Sequence, residues 1–560
     1  MENNKQKKLS IIDYDNEFSF KKNESNLLIS FNRIAFIFFI FLLFSLLFSI
    51  KIFYYGAKFE NKNTYNYKKK NFRSDIIDIN ENIIAKSVIT NNVGINPKLV
   101  KDKKKLLLKL KIIFPNKNFS LIEKKISKNK FFYIEKRLSP EKFNQIKLLG
   151  EKSLITEQKI TRIYPQGKLF SHVVGQIDDD NNGISGLEKS LDSELKTNKD
   201  PIKLTLDSNI QFLIREELEK AQNIFQTIGS ASILMNVNNG EILSLVSLPD
   251  FNLNKRDKLE NVNLINRITK GVYELGSVFK TFTVASGINS NVITSNTKFE
   301  NLPKNLTCAG RPIREYDDKI PTNLTAEEIL IRSGNIGSVR IAQKVGEEKL
   351  KIFLDNIGIL KKINFDIDEV GEPLPIKWGK CKLATVSFGH GITTTPLQLA
   401  VGYSIISNGG FKVKPTILKK QNNRDKKIRI LNKDVSKSIN PILRKIVTTK
   451  AGTANFANIS GYEVGGKTGT AQKSIDGTYS NKKINTFVSI FPTSKPQYVL
   501  IVLLDEPKPN KEYIYHYKDG SGWKYKGTPF NTAGWTSVEI AGKIIERIGP
   551  ILATKYKEFY

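Results

Sequence analysis

The strongest feature of the hydropathy pattern is an almost unbroken apolar run from Ile34 to Ile50, rich in Phe and Leu. Lys51 interrupts it before Ile52 and Phe53. A helix of about 20 such residues spans about 30 Å, the hydrocarbon thickness of a bilayer, and a lysine near its end can reach the interface. The run exceeds the roughly 7–15 apolar residues of a secretory signal, and no A-x-A-like site follows. An uncleaved anchor is expected over residues 34–53, behind a polar tail over 1–33. Between Asn61 and Lys203 the pattern breaks into short mixed elements. Residues 73–86 alternate as one or two strands around a turn, and 99–114, basic and apolar by turns, predict a helix.

A clearer globular pattern opens at Thr205-Leu206-Asp207. Residues 231–237 and 241–248 predict a β-hairpin across Asn238-Asn239-Gly240. A helix is expected from Ser277, after the Leu275-Gly276 break. Thr325-Ala326-Glu327-Glu328 is a capping-box start for a helix running towards Ser333. Thr395-Pro396-Leu397-Gln398 is another, with proline at the first helical position and a stop at Asn408-Gly409-Gly410. Residues 486–491 and 498–504 have strand length, and 538–552 carry apolar residues at helical spacing, expected to cover the sheet. Strands with helices grouped around them, not alternating with them, predict an α+β domain.

At 560 residues the chain is too long for one ordinary domain. The net charge of +33 comes from lysines spread along the whole chain. No nucleic-acid-binding motif accompanies them, so the charge favours an anionic membrane or an anionic lipid-linked substrate instead. Lys5, Lys7, Lys8, Lys21, Lys22 and Arg33 precede the apolar run, and Lys51, Lys58, Lys62, Lys68, Lys69, Lys70 and Arg73 follow it. The charge flanks therefore leave the orientation open. Two cysteines, Cys308 and Cys381, with no CxxC, exclude a disulfide framework and argue against structural zinc; whether they pair stays open. His172, His390 and His516 form no HExxH and no GxSxG occurs, which removes zinc hydrolases and α/β-hydrolases. Residues 178–183 mimic the start of a calcium loop. The twelfth position is Lys189, however, with Glu188 one place early, so an acidic turn is expected and no metal or cofactor is called for.

The candidate chemistry centres on Ser277 and Lys280, three apart and so on one face of a helix. The serine sits at the positive end of the helix dipole, and a lysine one turn on can take its proton. SxxK alone means little in a lysine-rich chain, since Ser19/Lys22, Ser127/Lys130, Ser193/Lys196, Ser480/Lys483 and Ser521/Lys524 also match. Ser277 differs in its preceding glycine, its following apolar helix and two further motifs in order. These are Ser333-Gly334-Asn335, at the end of a capped helix, and Lys467-Thr468-Gly469-Thr470, ahead of strands. Lys450-Ala451-Gly452-Thr453-Ala454 looks like the last but lacks its first threonine, and is expected to be a loop. Taken singly, Ser333 and Asn335 would read as a helix cap; the three motifs together give them a chemical role. His390 is read as a structural residue beside the site.

SxxK, SxN and KTG in this order are the signature of penicillin-binding proteins and class A β-lactamases. The chain resembles a class B penicillin-binding protein over nearly its whole length. Further matches are Arg162-Ile163-Tyr164-Pro165, Gly183 through Glu188, Asn266-Arg267, and Ser387-Phe388-Gly389-His390-Gly391 leading to Thr395-Pro396-Leu397-Gln398. Tyr273 through Lys280 and the SFGHG and GGKTGTAQK phrases are similar to the division-specific branch. Glycine replaces the middle residue of SDN, a position that varies in the family.

The resemblance implies a transpeptidase domain over 204–560 on an elongated pedestal, a dimerisation-type domain, over 54–203. It implies a peptidoglycan D,D-transpeptidase, inhibited by β-lactams, acting in septum formation without a cofactor. Ser277 is then the nucleophile and Lys280 the base, kept neutral by desolvation and by Lys467. The backbone N–H groups of Ser277 and Thr470 hold the oxyanion, and Ser333 relays a proton. Asn335 holds the substrate amide, while Lys467, Thr468 and Thr470, around Gly469, bind the terminal carboxylate. Implied partners are stem peptides of lipid-linked precursor or nascent glycan, a multi-pass membrane glycosyltransferase and other division proteins. Implied placement is the bacterial cytoplasmic membrane, with the N-terminus inside and the catalytic domain periplasmic. An elongation-specific enzyme, a D,D-carboxypeptidase and a non-catalytic penicillin sensor or scaffold remain alternatives. A β-lactamase lacks support, since no Glu-x-x-x-Asn segment supplies a deacylating water.

Overall fold

The computed structural model describes residues 26–62, 72–255, 264–379, 381–419, 427–475, 478–517 and 522–556. The chain divides into two compact units, residues 1–71 and 72–560. In the first, a continuous helix covers Asn26–Lys62, and its stretch Arg33–Tyr54 is long and apolar enough to cross a membrane. The expected polar tail lies outside the described residues up to residue 25, and the helix begins before the apolar run does.

The second unit begins with a five-stranded sheet. β2 (Ile83–Ile95) pairs antiparallel with β4 (Leu154–Ile163) from Lys86↔Ile163 to Ile95↔Leu154. It also pairs with β3 (Phe132–Leu138) and β1 (Ile76–Ile77), and β1 pairs with β5 (Ile202–Lys203). The strands expected over 73–86 are β1 and the start of β2. The helix expected over 99–114 covers Lys103–Ile113, where Leu106, Leu110 and Ile113 recur at helical spacing and are buried. They join Ile122, Ile126, Ile134 and Ile146 in a small separate core. Asp178 Oδ1 accepts the N–H groups of Asp180 (2.9 Å) and Asn182 (2.8 Å), so the acidic stretch is a turn closed on its own backbone.

Buried charge sets the base of this region. Glu188, fully buried, takes Arg73 Nε at 2.8 Å and Arg162 Nε at 2.7 Å, and Tyr164 donates to it at 3.3 Å. Both arginines are buried as well, so neither guanidinium can turn to water. Glu188→Ala is expected to cost about 3–5 kcal/mol, because it leaves the buried Arg162 without its carboxylate and Arg73 with Asp192 alone, 2.6 Å from its Nη1; thermal unfolding of the variant measures it.

The larger region that follows is built on an antiparallel sheet of order β12–β13–β14–β6–β7. These are β6 (Gly229–Asn236), β7 (Ile242–Leu248), β12 (Gly465–Ile475), β13 (Thr478–Phe491) and β14 (Tyr498–Asp505). Every residue of β6, β7 and β14 is buried, so helices must cover both faces. The helices Ser208–Phe225 and Ser537–Lys555 pack together on β6, β7 and β14, while Pro396–Ser407 and Lys433–Thr448 pack against each other. Asp207 caps the first of these and also takes Lys555 Nζ (2.8 Å), Tyr556 OH (2.9 Å) and Asn80 Nδ2 (3.0 Å), tying both ends of the domain to β1 and β2.

Along the chain, between β7 and β12, come two small ribbons. β8 (Lys298–Phe299) pairs with β11 (Leu324–Thr325), and β9 (Asn305–Cys308) with β10 (Arg311–Arg314). Both expected capping boxes are present, Thr325 with Glu328 and Thr395 with Gln398. Cys308 and Cys381 form a disulfide, their Cα atoms 5.7 Å apart, which settles the pairing that the sequence leaves open.

Candidate active site

Ser277 lies in a single 3-10 turn, Gly276–Val278, that runs into the helix Phe279–Asn289. The helix is buried on every side from Phe279 to Ile288, so it is the central helix of the core rather than a surface helix. Tyr403 donates to Val278 O at 2.7 Å and accepts from Thr281 Oγ1 at 2.9 Å, and Thr283 Oγ1 donates to Ser387 O at 2.8 Å. These bonds fix the turn that carries Ser277.

Two glycines let other backbones close on that turn. A Cβ at Gly469 would lie 2.2 Å from Leu275 O, and one at Gly389 would lie 2.0 Å from Gly276 O. Gly389 also has a φ of +85°, which a side chain would strain. The KTG strand and the SFGHG loop therefore both press on the segment beside Ser277. Among the described residues β12 is an edge strand, so one side of it has no ladder partner, and Gly469 and Thr470 lie against Leu275 and Gly276.

The three motifs meet at the Ser333 hydroxyl. Its Oγ lies 2.8 Å from Lys467 Nζ and 3.2 Å from Lys280 Nζ. Lys280 Nζ also donates to Ser333 O and, at 2.7 Å, to Asn335 Oδ1. Ser333 follows the helix Ala326–Ile331 with a φ of +57°. A non-glycine residue in that region costs about 1 kcal/mol or more. This conformation turns both its carbonyl and its hydroxyl towards Lys280. Asn335, first residue of the helix Asn335–Val345, gives its Nδ2 to Arg314 O at 2.7 Å. Both ends of the amide are thus engaged within the protein, where a hold on substrate was expected. Lys280 likewise bonds Ser333 and Asn335 instead of Ser277.

Lys280 and Lys467 are both fully buried. Burial pushes Lys280 down to about 7, with Glu315 pulling the other way. Burial pushes Lys467 well down, and the charge of Lys280 pushes it further. Desolvation, one of the two causes expected for Lys280, is the larger one for both lysines, and the two amines disfavour each other's charge. A cationic lysine has three N–H donors, and Lys280 spends all three on Ser333 O, Ser333 Oγ and Asn335 Oδ1. Losing its proton frees one position as a lone pair that can accept from a hydroxyl.

On β12, Thr468 Oγ1 meets Thr453 Oγ1 at 2.7 Å, and Thr470 Oγ1 accepts Ala533 N–H at 3.0 Å. The KAGTA decoy is a loop, as expected, but that loop brings Thr453 to the KTG threonine. Sequence reasoning also missed Glu315, which accepts Asn335 N–H at 2.6 Å and Ile336 N–H at 2.9 Å. Neither residue sits in a motif; each arrives from a distant loop. The ring of His390 packs 5.0 Å from Phe388 and 5.8 Å from Tyr479. Burial, then the charge of Lys280, hold the imidazole below the usual histidine range. Ser127, one of the other SxxK matches, bonds Glu123 O and Lys103 on the surface. Ser19/Lys22 and Ser521 lie outside the described residues.

Residues 230–521 match the penicillin binding protein transpeptidase domain, and residues 68–224 the penicillin-binding protein dimerisation domain. The chain is 31% identical over 501 residues to a probable peptidoglycan D,D-transpeptidase FtsI of Caulobacter vibrioides, covering 87% of this chain and 82% of the relative. It is 27% identical over 417 residues to the peptidoglycan D,D-transpeptidase FtsI of Escherichia coli, covering 69% and 70%. Among solved structures it is similar to penicillin binding protein 3 of Mycobacterium tuberculosis complexed with aztreonam. That match has a TM-score of 0.65 and 22% identity, and covers 85% of this chain and 96% of the other.

Proposed function

The chain belongs to the penicillin-binding proteins, with a dimerisation domain ahead of a transpeptidase domain, and on that premise we propose that it cross-links peptidoglycan stem peptides through an acyl ester on Ser277. The observation that carries this reading is the single hydroxyl of Ser333 lying within hydrogen-bond reach of both Lys280, one turn after Ser277, and Lys467. Three motifs distant in sequence line one buried cluster.

Ser277 Oγ attacks the carbonyl between the last two D-alanines and gives its proton to the free-base form of Lys280. The N–H groups of Ser277 and Thr470 stabilise the oxyanion, a contribution of roughly 3–4 kcal/mol in comparable sites. Ser333, bonded to both lysines, passes a proton to the departing D-alanine amine. Lys467, Thr468 and Thr470 hold the donor's terminal carboxylate, and Asn335, released from its resting partners, its amide. An amine of a second stem peptide then takes the acyl group and frees Ser277. A β-lactam enters by the same attack and remains as a stable ester.

The division of the chain into an anchor over 34–53, a pedestal over 54–203 and a catalytic domain over 204–560 fits this role. The protein is membrane-anchored, with its N-terminus in the cytoplasm and its catalytic domain outside. The Cys308–Cys381 bond supports that side, since disulfides persist in oxidising compartments. Action at the division septum, beside a glycosyltransferase that polymerises the glycan, is supported by the FtsI relatives and by the YELGSVFK and SFGHG phrases. Mass spectrometry of penicillin-treated protein is expected to find the adduct on the peptide containing Ser277; an adduct elsewhere overturns the mechanism. Depletion in cells is expected to give filaments, whereas round cells would assign the enzyme to lateral growth.

A further inference from the structure

Among the described residues the β9–β10 ribbon joins no larger sheet. Its strands run in register from Cys308↔Arg311 to Asn305↔Arg314 around Ala309-Gly310, both of which have positive φ (47° and 75°). A two-residue hairpin turn of type I′ requires that backbone. A two-stranded hairpin is marginally stable at best in water. Here Ile313 is buried, with Leu306 and Cys308 only partly covered, so packing adds little.

This weakly held ribbon nonetheless leads straight into the active site. Arg314 O accepts Asn335 Nδ2 at 2.7 Å, and the next residue, Glu315, accepts the N–H groups of Asn335 and Ile336. Asn335 Oδ1 in turn takes Lys280 Nζ. At the other end of the ribbon, Cys308 is bonded to Cys381. Cys381 immediately precedes the short helix Lys382–Val386, which leads into Ser387-Phe388-Gly389, and Gly389 presses on Gly276. The covalent bond therefore links the ribbon that holds Asn335 to the segment that presses on Gly276, next to Ser277.

We propose that the Cys308–Cys381 cystine is a strut of the active site, holding the β9–β10 ribbon so that Glu315 positions Asn335 and, through it, Lys280. Cys308, Cys381 and Glu315 are positioning residues; none of them touches substrate. The proposal rests on Ser277 as nucleophile and Lys280 as base. Opening the cystine takes two electrons and two protons from a dithiol, which closes to its own disulfide. Forming it in the cell takes the reverse exchange with a disulfide-donating oxidoreductase.

The test uses the full chain in detergent, with and without dithiothreitol, and reads the second-order rate of labelling by a fluorescent penicillin at neutral pH. Mass spectrometry confirms two free thiols. Reduction is expected to slow acylation roughly 10- to 100-fold, the scale of a small misplacement of a catalytic group. Reoxidation is expected to restore it. Cys308→Ser with Cys381→Ser is expected to show the slow rate and no response to dithiothreitol. Amide exchange is expected to rise at Asn335 and Ile336 on reduction while the β6, β7 and β14 amides stay protected. Glu315→Gln, with the cystine intact, is expected to slow acylation and move the acid limb of its pH profile to lower pH, since the lost carboxylate no longer favours protonated Lys280.

An unchanged rate in fully reduced protein overturns the strut, as does a loss of rate that accompanies exchange throughout the sheet. Ser277→Ala, run in parallel, separates the two failures. Label surviving that substitution removes the underlying mechanism, whereas label sensitive to it but indifferent to reduction removes only the strut.

Discussion

Ser277→Ala is expected to abolish covalent labelling by penicillin and to lower cross-linking by about 10⁶-fold, the scale reached when the nucleophile of a covalent enzyme is removed. The protein should stay folded. Ser277 is only partly buried, and the turn around it is fixed by Tyr403 on Val278 O and by the close approach of Gly469 and Gly389, none of which uses the serine hydroxyl. Lys467, Thr468 and Thr470 keep their positions on β12, so the variant should still bind a donor peptide reversibly. A gel with fluorescent penicillin and a peptide-binding titration check the two halves together. Loss of binding along with labelling would mean that the substitution disturbed the cleft and did not simply remove the nucleophile.

Lys280→Met is expected to slow acylation by about 10²–10⁴-fold, the range for loss of a general base. Wild-type acylation should climb with pH through about 7, where burial places Lys280, and the variant should lose that rise. A stopped-flow pH series measures it. The same shift carries a stability effect of defined sign. Lys280 titrates at about 7 when folded and near 10.5 when not, so between these values the unfolded chain binds more protons and stability rises with pH. The penalty is full below about 7, on the order of a few kcal/mol, and gone above 10.5. The thermal midpoint of wild type relative to Lys280→Met should therefore increase from neutral to alkaline pH. A gap that does not change over that range would mean that Lys280 is not held neutral in the folded protein.

Much of the chain could be read locally. The capping boxes at Thr325 and Thr395, the β6–β7 hairpin around Asn238-Asn239-Gly240 and the strands β13 and β14 follow from turn chemistry and apolar runs a few residues long. Signals of that range survive in a sequence because the interacting groups are neighbours along it. The acidic turn at Asp178 was legible for the same reason. The helix around the apolar run was legible in type but not in extent, since its ends at Asn26 and Lys62 reach past the hydropathy signal.

By itself the sequence determined the apolar helix, the α+β class, and which serine, lysines, asparagine and threonines we propose for the chemistry, because motif order and spacing are properties of the chain alone. Only the tertiary structure decided how those groups are wired. It put Ser333 in a left-handed conformation, turned Lys280 towards Ser333 and Asn335, and brought Thr453 and Glu315 to the site from outside any motif. It also paired two cysteines 73 residues apart. Each of these depends on which distant surfaces exclude water from one another. A buried amine loses its proton, and a strained residue is held in place, only through contacts made after the chain has folded.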